Sequence, residues 1–124
     1  GFRKERRGFP WIARTADNAI LTAVGNDYGY EQVFARQVEA YGQAGGVLWG
    51  ISTSGNSANV VAAFTKAKTL GLTTIAMTGE GGGKLAALSD ILLDVPSRHT
   101  PYIQQVHLCL YHYICEAVEA ALTA

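Results

Sequence analysis

A chain of 124 residues, 48% hydrophobic and 16% charged, has the size and composition of one folded domain, and a disordered segment is excluded. Ten Lys and Arg against ten Asp and Glu give a formal net charge of zero, without the basic balance that nucleic acid or an anionic membrane demands, so neither is expected as a partner. A small molecule or another protein remains, and high apolar content at low charge predicts that further subunits cover part of the surface.

The segment Gly1 to Gly8 contains Arg3, Lys4, Arg6 and Arg7 but no methionine start, helix cap or apolar leader, and it reads as the interior of a longer sequence. No run is long enough to span a bilayer, which makes a soluble, cytoplasmic protein the expectation. Trp11-Ile12-Ala13 follows Pro10 and reads as a short buried strand. Asp17 is placed to cap a short helix through Ala19, Ile20, Leu21 and Val24, with Gly25 as its stop. Asn26-Asp27-Tyr28-Gly29-Tyr30 reads as a loop that projects its polar members, or as a plain connection in which Asp27 caps the next helix. That helix, Glu31 to Gln43, has Val33, Phe34, Val38 and Tyr41 on one side.

After Gly45-Gly46, Val47 to Ile51 is an apolar strand that breaks into Ser52-Thr53-Ser54-Gly55-Asn56-Ser57. Val60, Val61, Phe64, Ala67 and Leu70 recur at helical spacing, so Ser57 falls at the N-cap of a helix that Gly71 ends. A helix start presents unpaired N–H groups and the positive end of the macrodipole, and four hydroxyls beside it suit a phosphate. The same residue types are also the ordinary material of turns and caps. Thr73 to Thr78 is a second β-type run. Gly79-Glu80-Gly81-Gly82-Gly83-Lys84 lacks the spacing of a Walker A loop or a dinucleotide fingerprint and reads as a flexible connection. A short helix near Lys84 to Leu88 precedes a third strand, Ile91 to Val95, closed by Pro96.

Strand and helix alternating through short loops predict an α/β fold with a mainly parallel sheet between helical layers. Right-handed crossovers would bring segments 52–57, 79–83 and 96–101 to one sheet edge, where ligands of open α/β sheets bind. The last element, Pro101 to Leu122, is a long helix with Ile103, Val106, Leu110, Ile114, Val118 and Leu122 as its apolar stripe, interrupted by Gln104, Gln105, His107 and His112. Each histidine, taken alone, reads as a satisfied core or surface residue. Gln104 and His112 lie eight positions apart, roughly 12 Å along the axis, so a shared ion would need groups from elsewhere. Cys109 and Cys115 lack metal-type spacing and read as buried free thiols.

Several separated motifs together resemble the sugar isomerase (SIS) domain family, and more closely its phosphoheptose isomerases. They are Val24 to Tyr30, Gly50 to Ser57, Thr78-Gly79 with Gly82-Gly83-Lys84-Leu85, Val95-Pro96-Ser97, Thr100, and Ile103-Gln104 continuing to His107 and His112. The resemblance implies a flavodoxin-like three-layer α/β/α sandwich, a cytoplasmic homotetramer, and interconversion of sedoheptulose 7-phosphate with D-glycero-D-manno-heptose 7-phosphate for lipopolysaccharide. By matching position it implies that Ser52, Thr53, Ser54 and Ser57 hold the sugar phosphate and that Asn26 and Asp27 lie near the sugar. It further makes His112 a catalytic acid or base, and Gln104 with His112 ligands of zinc. The family's upstream helical region, with a metal-binding histidine and a second proton-transfer glutamate, has no counterpart here, so the chain reads as an N-terminally incomplete SIS domain. Gly46 stands where an aspartate is usual, and Gln105 where a glutamate is usual. The resemblance also allows a non-catalytic SIS module that binds a phosphosugar or a protein such as a replication initiator; relatives of that kind tend to lack the histidine at the His112 position.

Overall fold

A computed structural model describes residues 1–123. The elements are α1 (Asn18–Tyr28), a 3₁₀ turn (Tyr30–Gln32), α2 (Ala35–Tyr41), β1 (Val47–Ile51), α3 (Ala58–Thr69), β2 (Thr73–Thr78), a 3₁₀ segment (Gly83–Leu88), β3 (Ile91–Asp94) and α4 (Thr100–Leu122). The three strands are parallel in the order β1-β2-β3, with Val47 opposite Thr73 and Ile51 opposite Met77, and then Ile75 opposite Ile91 and Thr78 opposite Asp94. Parallel neighbours need crossovers, which α3 and the 3₁₀ segment supply.

Side chains alternate across the strands, and the residues facing α3 build the core. Phe64, fully buried on α3, packs with Ala76 of β2, Leu85 of the 3₁₀ segment, Leu48 and Leu92. Gly50 of β1 lies under the Phe64 ring, where any Cβ would collide with it; the strand is small at that point because the helix is bulky. Ala63 and Ala67 continue the contact to Val38 of α2, with Phe34, Leu70 and Leu72 around them. Asp90 joins the start of β2 to that of β3: its carboxylate accepts the Thr74 N–H at 2.8 Å, and this bond holds the Asp90 carboxyl below its usual range.

Several expectations need correction. Trp11-Ile12-Ala13 is not a strand, and both Trp11 and Ile12 are more than half exposed, with Trp11 laid edge-on against Trp49. Asp17 does cap α1, accepting the Ile20 N–H at 3.0 Å. The helix nevertheless runs through Gly25 and stops only at Gly29, whose φ of 88° suits glycine. A glycine inside a helix costs only about 1 kcal/mol, and here the helix continues. Asn26 and Asp27 therefore sit in the last turn of α1, not in a loop. The single helix expected over Glu31 to Gln43 is a 3₁₀ turn followed by the shorter α2, and Tyr41 is exposed. On α4 the buried face is Ile103, His107 and Glu119, while Val106 and Leu122 of the expected stripe face outward. Cys109 is exposed and Cys115 only partly covered, so the thiols are free but not buried.

Candidate functional site

The loop after β1 is closed from both sides. Ser52 sits at the strand end, with its N–H donating to Met77 O at 3.0 Å. Gly55 turns back with φ 67°, and its N–H donates to Ser52 O at 2.9 Å. Ser57 occupies the N-cap position of α3, yet its side chain makes no capping bond. Its hydroxyl lies 2.8 Å from that of Ser52, which is itself buried. The two hydroxyls thus form one polar pair at the mouth of α3. The Asn59 side chain accepts the Val60 N–H at 2.9 Å, and the start of α3 is otherwise without a side-chain cap. An uncapped helix start next to paired hydroxyls is the arrangement that stabilises a bound anion.

The glycine-rich segment 79–83, expected to be a flexible connection, is the outer wall of this loop. The Gly79 N–H donates to Thr53 O at 2.8 Å and the Leu85 N–H to Gly55 O at 3.1 Å. Asn56 braces the same junction, its Oδ1 accepting the Lys84 N–H at 2.9 Å and its Nδ2 donating to Ser54 O at 3.1 Å. A Cβ at Gly55 would fall onto the Gly82 carbonyl oxygen, and one at Gly83 would meet Asn56 Oδ1 at 2.7 Å. The glycines serve backbone-to-backbone approach, not a phosphate grip of their own. The Glu80 N–H donates to Ser97 O at 3.1 Å, so the three segments expected at one sheet edge do meet there.

Helix α4 is tied to this edge near its N-terminal end. His107 Nε2 lies 2.9 Å from Thr78 O, in a position where only 2% of the residue is exposed, and Ile103 abuts Gly79. Because a carbonyl can only accept, His107 carries its proton on Nε2. Gln104 and His112 are both exposed on α4. His112 stands between two rings, with Tyr111 edge-on at 5.0 Å and Phe2 at 5.9 Å between centroids. Asn26 Nδ2 donates to Asp27 Oδ1 at 2.8 Å on the exposed end of α1. Beyond that end, Glu31 and Gln32 share with Asn56, Ala58, Lys66 and Lys84 a cleft of about 470 Å³. The structure therefore joins Ser52, Ser57 and the turns around Thr53 and Ser54 into one cradle, while Asn26 and Asp27 stand on α1 and Gln104 and His112 on α4.

The zinc expectation meets a short donor set. Gln104 and His112 offer one amide and one imidazole, and no group of three or more His, Cys, Asp or Glu that could hold a metal occurs among the described residues. Zinc takes four ligands, or three protein ligands and a water; this pair does not fit it alone. Asn56, His107 and the role of Gly82-Gly83 escaped the sequence reading. The only signal for Asn56 was its place inside the hydroxyl loop, and a histidine on a mixed helix face gives none for His107.

A family model described as SIS domain matches residues 1–79. The chain is 58% identical over 123 residues to a phosphoheptose isomerase of Crocosphaera subtropica, covering 99% of this chain and 63% of that protein. It is 54% identical over 118 residues to one of Nitratidesulfovibrio vulgaris, covering 95% and 57%. Solved phosphoheptose isomerases are also similar: that of Neisseria gonorrhoeae has a TM-score of 0.86 at 49% identity, over 88% of this chain and 61% of that one. The Francisella tularensis enzyme gives 0.87 at 43%, over 90% and 60%. The chain thus spans roughly three fifths of the length of these relatives. With the family model covering more than half of its residues and the solved structures sharing its strand and helix arrangement, the chain belongs to the SIS domain family.

Proposed function

We propose that the chain acts as a phosphoheptose isomerase, interconverting sedoheptulose 7-phosphate and D-glycero-D-manno-heptose 7-phosphate in the cytoplasm, for the heptose of lipopolysaccharide. The observation that carries the reading is the cradle of Ser52 and Ser57 hydroxyls, 2.8 Å apart, at the start of α3 without a side-chain cap from Ser57. Similarity of about half or more of the residues to phosphoheptose isomerases across nearly the whole chain supports it.

In this reading Ser52, Thr53, Ser54 and Ser57 hold the phosphate through neutral donors and the dipole of α3. Asn26 and Asp27, already hydrogen-bonded to each other, take sugar hydroxyls as a donor and acceptor pair. The chemistry moves a proton between adjacent carbons. A base takes the proton from C2 of the aldose, the electron pair becomes the C1–C2 double bond of an enediolate whose charge falls on the former carbonyl oxygen O1, the O2 hydroxyl proton passes to O1, and protonation of C1 gives the ketose. His112 serves as one such group, its imidazole taking a proton as base or giving one as acid. Gln104 contacts the substrate from the same helix. Zinc enters the proposal through the family only where further ligands join Gln104 and His112, which alone would not hold it. Since the pair falls short of a zinc donor set, no step is assigned to the metal. A homotetramer is likewise proposed, supported by exposed Tyr28, Tyr30, Tyr102, Val106, Leu108 and Tyr113.

The test is turnover of sedoheptulose 7-phosphate, followed by the appearance of the aldose. His112→Ala is expected to lower kcat by about 10²-fold or more. Equal rates in the variant would remove His112 from the mechanism, and would favour a non-catalytic phosphosugar-binding module if neither protein turned over.

A further inference from the structure

Glu119 is 2% exposed, an unusual place for a carboxylate without a function for its charge. Its oxygens accept three successive backbone N–H groups, from Phe2 at 2.7 Å, Arg3 at 2.6 Å and Lys4 at 3.0 Å. The Arg6 Nε adds a fourth bond at 2.7 Å. Successive N–H groups converging in this way make a concavity for an anion, and here the anion is the chain's own. Burial works to raise the carboxyl, but the N–H groups of Arg3, Phe2 and Lys4 and the Arg6 guanidinium outweigh it and hold it at about 2, against an ordinary 4.5. The exposed Arg3–Glu116 pair at 3.1 Å adds little beside this.

The anchorage delivers a side chain. Glu119 lies seven residues after His112, about two helical turns along α4. With Phe2 to Lys4 pinned there, the Phe2 ring reaches back to 5.9 Å from the imidazole of His112. Tyr111, the other ring against His112, belongs to the same helix. Phe2 is thus an aromatic neighbour of the imidazole from outside α4, and Glu119 holds the backbone that carries it.

We propose that Glu119 is a positioning residue for His112, acting through the backbone of residues 2–4 and the ring of Phe2. Its effect on turnover rests on the isomerase reading above; its effect on the imidazole does not.

The experiment is proton NMR of the three histidine rings at one pH in the 124-residue chain, with kcat and KM for sedoheptulose 7-phosphate measured alongside. The unmodified chain is expected to show Phe2–His112 ring cross-peaks. Glu119→Gln should abolish them and shift the His112 ring protons while leaving those of His99 and His107 in place. Phe2→Ala should shift His112 in the same way with Glu119 intact, and Phe2→Tyr should keep the cross-peaks. Turnover in Glu119→Gln should fall by about 10²-fold in kcat at unchanged KM, the scale of a misplacement of about 1 Å. A common shift of all three histidines marks a merely structural carboxylate and overturns the proposal, as does a His112 unmoved by either Glu119→Gln or Phe2→Ala. Absence of turnover in the unmodified chain defeats the isomerase reading alone, and the ring signals still decide the positioning role.

Discussion

Replacing Gly55 by Ala tests whether the hydroxyl loop and the glycine segment are one built unit. Two costs arise at that position. The backbone has φ 67°, where an L-residue pays about 1 to 2 kcal/mol. The new Cβ would also land on the Gly82 carbonyl, with Gly83 N at 2.9 Å, so the two backbones must part. Parting endangers the Leu85 N–H to Gly55 O and Lys84 N–H to Asn56 Oδ1 bonds, each worth about 1 kcal/mol. The total expected for Gly55→Ala is about 3 to 4 kcal/mol. Gly81 provides the control, because its φ of 78° carries the same backbone strain while a Cβ there meets nothing within 4 Å. Gly81→Ala should therefore cost only about 1 to 2 kcal/mol. Urea unfolding of the two variants gives the difference, and calorimetry with inorganic phosphate shows whether the cradle survives. Equal unfolding midpoints for the two variants, with phosphate affinity unchanged in Gly55→Ala, would refute the coupling of the two segments.

Further outcomes follow from single groups. Ser57→Ala should cost no more than about 1 kcal/mol in urea unfolding, since the hydroxyl caps no helix N–H, but should weaken phosphosugar binding about tenfold in calorimetry. Phe64→Ala, which empties the centre of the contact between α3 and the sheet, should cost about 3 to 5 kcal/mol by the same unfolding assay. Glu119, depressed from 4.5 to about 2 in the folded chain, contributes stability that is complete above pH 4.5 and is lost as pH falls towards 2. The stability gap between the chain and its Glu119→Gln variant should accordingly shrink over that interval, and a gap constant with pH would show that charge is not what holds the N-terminal segment. The isolated chain should take up no stoichiometric zinc at micromolar concentration, as read by equilibrium dialysis, because Gln104 and His112 are too few ligands.

The parallel core was legible because its signals are local and repeated. Val47 to Ile51 and Thr73 to Thr78 are short β-rich runs bounded by glycine, and the helix between them carries apolar residues at helical spacing. The cradle was legible for the same reason, since a strand that ends in hydroxyls before an apolar helix fixes where an N-cap must fall. Failures arose where distant residues decide. Gly25 reads as a stop, yet α1 passes through it and ends at Gly29, the glycine that takes the positive φ. The segment 79–83 reads as loose, yet Gly79 lies against Thr53 and Ile103, and Gly83 against Ser54 and Asn56, all more than twenty positions away. Val106 and Leu122 read as core, yet α4 is rotated so that His107 reaches Thr78 and Glu119 reaches the N-terminal backbone. Two polar residues join Ile103 on the buried face while Val106 and Leu122 of the stripe are left outside, and nothing in helical periodicity announces that the polar pair will find partners.

The central claim is that the loop from Ser52 to Ser57 holds the phosphate end of a sugar. Calorimetric titration of the chain with sedoheptulose 7-phosphate and, separately, with unphosphorylated sedoheptulose tests it most directly. The account predicts saturable binding of the phosphorylated sugar alone, weakened in a Ser52→Ala, Ser57→Ala double variant that unfolds at a similar urea concentration to the unmodified chain. Equal binding of both sugars, or undiminished binding of the phosphosugar by the double variant, would contradict it.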